Sequence, residues 1–136
     1  IAACGGGNSS DQKDCMPTGY MVLHSSSTGT TLLSSVTVSA LRSAPAFTVP
    51  VYVAYTSPPV AAVAAGYPVG GTDPRTVGMN IATVGLPTDN PLQFTLTFDP
   101  VSLATATYSA TWRFVAVDMN ASLVGCRDLP VTFAIQ

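Results

Sequence analysis

The stretch Leu92-Gln93-Phe94-Thr95-Leu96-Thr97-Phe98 alternates apolar and polar residues without a break. Successive strand side chains point to opposite faces. Strict period two therefore marks a half-buried strand, with Leu92, Phe94, Leu96 and Phe98 inward. Asp99-Pro100 ends the run. A longer strand follows over 105–118, with Tyr108, Ala110, Trp112, Phe114 and Ala116 on its inner face. The segment 118–125 turns, and 129–136 closes the chain with Val131, Phe133 and Ile135 inward.

Upstream of this region, 20–24 reads as a short first strand. The segment 30–41 reads as a second, with Val36, Val38 and Ala40 on one face. Residues 47–56 form a third, in which Pro50 suits an edge or a bulge because it has no N–H to give a ladder. The Pro/Gly/Ala-rich stretch 57–71 reads as a long ordered loop. It packs against its own sheet or forms a contact between subunits. The segment 77–84 is a short strand. About seven short strands separated by turn signals predict an all-β, immunoglobulin-like antiparallel β-sandwich over 20–136. Residues 1–19 read as a Gly/Ser-rich N-terminal arm, because Gly5-Gly6-Gly7 builds neither a strand nor a helix.

Composition agrees. The chain has 136 residues, one domain's worth. It contains no Glu and a single Lys, Lys13, which removes two of the best helix formers. Charged residues make up 9% of the chain, against about 25% in typical soluble domains. With five Lys and Arg in all, the chain is not a basic nucleic-acid binder. It holds no uninterrupted apolar run of transmembrane length. A surface so poor in charge suits a protein packed against copies of itself, coated with glycan, or fixed to a cell surface.

No catalytic residues are assigned. His24 is the only histidine, and the serines beside it in sequence do not make a triad. Asp73, Asp89, Asp99, Asp118 and Asp128 sit at turns or strand ends, where Asp serves by capping the backbone. No metal or cofactor is expected. The Asp118-Met119-Asn120-Ala121-Ser122 run spaces oxygen ligands like the start of a calcium loop, but it lacks that loop's Gly and Glu and reads as a polar turn. Asn8-Ser9-Ser10 and Asn120-Ala121-Ser122 fit the N-glycosylation pattern.

Three cysteines leave one over after a single bridge. Cys15 precedes the first strand and Cys126 precedes the last, ends that can be neighbours in a sandwich. Their pairing is the leading disulfide candidate, with Cys4–Cys15 the alternative. The third cysteine is then available to a neighbouring molecule.

The segment Leu92 to Val117 contains Thr95-Leu96-Thr97-Phe98-Asp99-Pro100 and Ala106-Thr107-Tyr108-Ser109-Ala110-Thr111-Trp112-Arg113-Phe114-Val115. It resembles the BACON-like and related immunoglobulin-like surface domains of bacterial envelope proteins. Ala104-Thr105-Ala106-Thr107 stands where that pattern has a Gly turn. The resemblance implies a sandwich in which Tyr108 lies near the start of the penultimate strand and its hydroxyl bonds back across the corner. It implies a fold and not an activity. Ile1-Ala2-Ala3-Cys4 followed by the Gly/Ser run resembles the N-terminus of bacterial lipoproteins, in which the cysteine carries lipid.

Two functions are compatible with these features. The first is a non-catalytic extracellular subunit of a bacterial surface filament or layer. Its arm, Ile1, Ala2, Ala3 and Cys4 included, adds as a strand to the next copy. The second is a lipoprotein binding module, anchored through Cys4, that recognises glycan or protein through its loops. Tyr52, Tyr55, Tyr67 and Trp112 are candidates to stack on sugar, although Trp112 is in phase with the core.

Overall fold

The computed structural model describes residues 19–28 and 31–136. Among these residues, eight strands form two four-stranded sheets. They are β1 (Met21–His24), β2 (Val36–Ala40), β3 (Phe47–Tyr55), β4 (Ala62–Gly66), β5 (Met79–Val84), β6 (Leu92–Phe98), β7 (Ala106–Val117) and β8 (Leu123–Ile135). The first sheet runs β1-β3-β6-β5 and the second β2-β8-β7-β4. Of these pairings only β2–β8 is parallel. This is immunoglobulin-like topology, with the first strand shared between the sheets as β1 and β2.

The alternation read from the sequence is the alternation observed. β6 is buried at every second residue from Leu92 to Phe98. Phe94 packs edge-on against Phe114 of the facing sheet at 5.1 Å between ring centroids. Phe98 meets Phe133 at 5.2 Å and stacks on Phe47 at 5.4 Å. These rings join the two layers, and each fully buried one removes a large apolar area from water.

Three expectations change. First, 57–71 is not a long loop. It contains β4, which pairs with β7 from Ala62↔Val117 to Gly66↔Arg113, and Val60 is buried in the core. Ala-Val-Ala-Ala carries little β-propensity and no polar alternation. Pairing with β7 imposes the strand there. Second, the strand expected over 30–41 is confined to Val36–Ala40, with only a bridge from Leu32 to His24 before it. Third, β8 begins at Leu123 and carries Pro130 in its interior.

Pro50, expected at an edge or a bulge, lies instead inside the central strand β3, as Pro130 lies inside the central strand β8, and both are accommodated in the same way. Thr56 N–H donates to the Tyr20 carbonyl, so the even residues of β3 turn their backbone groups toward β1. β1 stops at His24↔Tyr52, one step short of Pro50. Gln136 bonds Ala40 and Arg42, so the even residues of β8 face β2. β2 begins at Val36↔Val131, just past Pro130. Each missing N–H therefore faces a side where no ladder exists.

Candidate functional site

The four strands of the first sheet contain no Asp, Glu, Lys or Arg. On its outer face lie Thr48, Pro50, Tyr52, Asn80, Ala82, Val84, Gln93, Thr95 and Thr97, arranged in rows by the register of β3, β6 and β5. The charged strand residues belong to the second sheet. There Arg113 and Asp128 are direct cross-strand partners in a two-pronged ion pair, Nε to Oδ1 at 2.8 Å and Nη2 to Oδ2 at 3.0 Å.

The edges of the sheets differ in how much backbone they leave open. In β1, Met21 and Leu23 face away from β3. Their carbonyls accept from Arg127 Nε at 3.0 Å and from Leu33 N–H at 2.9 Å. In β2 the outward residues are Thr37 and Ser39, and in β4 they are Val63 and Ala65. β5 offers the most. Asp99 N–H donates to the Gly78 carbonyl, so Asn80, Ala82 and Val84 face β6 and Met79, Ile81 and Thr83 face out. Asn80 Oδ1 accepts from the outward Ile81 N–H at 2.9 Å. None of these edges carries a charge, a proline or a bulge within its strand, the usual guards against strand addition.

A second feature is a groove of about 250 Å³ on the outer face of the second sheet, bounded by Ala64, Gly66, Tyr67, Val69, Arg113 and Val115. Beside it, Arg75 donates from Nε and Nη2 to Asp73 at 3.0 and 2.8 Å and from Nη2 to the Tyr67 hydroxyl at 3.1 Å. Its guanidinium lies 5.4 Å from the Tyr67 ring centroid. Asp73 also caps the 3-10 turn Pro74–Val77 by accepting from the Arg75 N–H. The Arg75 side-chain hydrogen bond, with its charge, holds the Asp73 carboxyl down to about 2, and the Arg75 guanidinium is raised in return. This cluster was not singled out from sequence. Asp73-Pro74, a cap followed by Pro at the first helical position, is the signal for its turn.

The sequence-derived candidates fall as follows. Ile1, Ala2, Ala3, Cys4, Asn8 and Cys15 lie outside the described residues. Cys126 is disulfide-bonded and 2% exposed. Asn120 is exposed in the β7–β8 turn. There Asp118 Oδ1 accepts from the Asn120 and Ser122 N–H groups, which is the polar-turn reading of that run. Asp89 and Asp99 likewise accept from Leu86 and Val101 N–H. Of the aromatic residues, Trp112 belongs to the core. Tyr52 is half-buried, and the Tyr55 hydroxyl donates to the Asp89 carbonyl. Tyr67 is the most open of the four, at 38% exposed. His24 is half-buried, and its Nδ1 is buried without a hydrogen-bond partner.

The fold has a solved counterpart. The chain superposes on the sialic acid binding region of a Streptococcus sanguinis SK1 adhesin with a TM-score of 0.52 at 14% identity. The match covers 88% of this chain and 30% of the adhesin chain, so this chain spans under a third of that structure. The N-terminal domain of PorA aligns with a TM-score of 0.46 and 13% identity, over 85% of this chain and 97% of that domain. No protein-family model and no curated protein sequence matches the chain. The likeness to the adhesin region is one of fold. Among the described residues no helix is long and apolar enough to cross a membrane.

Proposed function

We propose that this chain is a non-catalytic structural domain of a bacterial cell surface that assembles with copies of itself. The first nineteen residues serve as an arm that adds as a strand to a neighbouring copy. Cys15 bridges to Cys126, and Cys4 is left for an intermolecular bond or a lipid. The observation that carries this reading is the first sheet, which has no charged residue in any strand and, in its edge strand β5, no charge, proline or bulge. The position of Met21, whose carbonyl is held by Arg127, favours Cys15 over Cys4 as the bridge partner, because it starts the chain leading back to Cys15 beside Cys126.

Negative-stain electron microscopy of the purified protein, with and without reductant, tests the assembly. Regular filaments or sheets are expected, and their loss on reduction identifies a cysteine as the lock. Dispersed monomers in both conditions would discard the reading.

A second reading is favoured by the Tyr67–Arg75 groove and by the sialic acid binding of the adhesin region that shares this fold. It is an anchored module that binds glycan at this groove. Titration with sialylated and neutral oligosaccharides, comparing the native chain with Tyr67→Ala, separates the two. A saturable affinity that falls at least tenfold in the variant supports the module.

A further inference from the structure

We propose that Asn120 is a glycosylation site: its side-chain amide, in the exposed β7–β8 turn, accepts an oligosaccharide when the chain is exported. This goes beyond the surface role proposed above and does not depend on self-assembly.

The turn leaves the acceptor uncommitted, because Asp118 closes it. Asp118 Oδ1 accepts from the Asn120 N–H at 2.8 Å and from the Ser122 N–H at 3.0 Å. The Asp118 N–H donates to the Ser122 carbonyl at 2.9 Å, and the Asp118 carbonyl accepts from the Ala121 N–H at 3.0 Å. These bonds use neither the Asn120 side-chain amide nor the Ser122 hydroxyl, the two groups that the Asn-x-Ser pattern requires. The other described asparagines are spent on structure. Asn80 Oδ1 accepts from the Ile81 N–H at 2.9 Å. Asn90 accepts from the Tyr55 N–H at 3.2 Å and donates to the Tyr55 carbonyl at 2.6 Å. Neither fits the pattern, since Asn80-Ile81-Ala82 and Asn90-Pro91-Leu92 lack the hydroxyl residue. Among the described residues, Asn120 alone combines the pattern, an exposed position and an amide that the fold does not use.

The surroundings of Asn120 suit a bulky polar group. Met119 beside it is 92% exposed, the most open large apolar side chain among the described residues, and Leu123 is exposed in the same turn. A chain with 9% charged residues has little else to solvate such a patch, and a glycan does so.

The donor is an oligosaccharide joined through pyrophosphate to a lipid carrier and presented by a transferase on the export side of the membrane. Asn120 Nδ2 attacks the anomeric carbon of its first sugar. A carbon–nitrogen bond forms, and the bond from that carbon to the pyrophosphate oxygen breaks. The lipid pyrophosphate leaves with the electron pair, and one Nδ2 proton passes to a base of the transferase. Nothing is oxidised or reduced.

Mass spectrometry of the chain taken from the envelope or extracellular fraction of its own cells tests the site. After reduction and denaturation, trypsin releases residues 114–127, which contain Asn120 and not Asn8. This peptide is expected to carry added mass in steps of sugar residues, placed on Asn120 by fragmentation and resistant to alkaline elimination. Asn120→Gln and Ser122→Ala are each expected to lower its occupancy at least tenfold, and Ser122→Thr to keep it. Both positions are exposed, so the far-UV circular dichroism spectrum should not change. A bare 114–127 peptide in the surface-located chain overturns the site. Sugar that sits on Ser122, or that persists in Asn120→Gln, overturns it as well. A chain confined to the cytoplasm overturns the surface role and the site with it.

Discussion

The Tyr108 hydroxyl donates to the Ala104 carbonyl at 2.8 Å, across the turn that leads from β6 into β7. The bond fixes the angle at which the chain leaves one sheet and enters the other. Its partner is four residues upstream, in the Ala-Thr-Ala-Thr segment that stands in place of a Gly turn. The corner therefore forms without the glycine.

Tyr108→Phe removes this hydrogen bond and keeps the ring, which packs against the core. A loss of about 1 kcal/mol is expected, the net worth of an ordinary intramolecular hydrogen bond. Urea unfolding with an unchanged m-value checks it.

Gly78 precedes β5 with φ +76°, and a Cβ there would meet the Asp99 carbonyl oxygen and approach Leu103 Cδ1 to 2.7 Å. Gly78→Ala is expected to cost about 2 kcal/mol or more. Because the Gly78 carbonyl accepts the Asp99 N–H, the damage begins where β5 joins β6. Amide exchange at Asn80 and Ala82 is the readout, and it should quicken before exchange in β7 does.

Asp73 has its carboxyl lowered from an ordinary 3.8 to about 2 by the Arg75 side-chain hydrogen bond and charge. A lowered carboxyl favours the folded state only while it is ionised. Its contribution is thus present above pH 3.8 and is lost as pH falls from there through about 2. An NMR titration of the Asp73 carboxyl carbon should show a midpoint near 2 in the native chain. In Arg75→Ala the midpoint should return toward 3.8, the value Asp73 has without its partner.

Phe133 sits between Phe47 and Phe98, with ring centroids at 6.1 and 5.2 Å. Phe133→Ala leaves a cavity between the sheets and is expected to cost about 3–5 kcal/mol. Thermal unfolding should show a lowered midpoint for the whole domain, because the cluster spans both sheets.

Most of the sandwich was legible from residue alternation. β6, the inner face of β7 and the closing residues Val131, Phe133 and Ile135 are pairs of apolar and polar positions that admit one reading. β4 was not legible. Its residues are small and apolar on both sides, so neither face is marked, and only its pairing with β7 makes it a strand. The first half of β8 was not legible for another reason: Asp118, Asn120, Ser122 and Gly125 mark 118–125 as a turn, whereas β8 already begins at Leu123. The lack of charge was visible at once, but its concentration on one sheet was not. That depends on which strands pair. The Tyr67–Arg75 contact joins two ends of an irregular connection, for which the sequence has no period to read.

Pro50 and Pro130 also mark where neighbouring strands end and begin. A strand continuing straight from His24 along β3 would reach Pro50 and find no donor. A segment pairing with β8 earlier than Val131 would find none at Pro130. Each proline thus leaves one ladder bond unmade, at the place where β1 stops on one layer and where β2 starts on the other. The handover from β1 to β2 is framed by two missing hydrogens in strands it only borders.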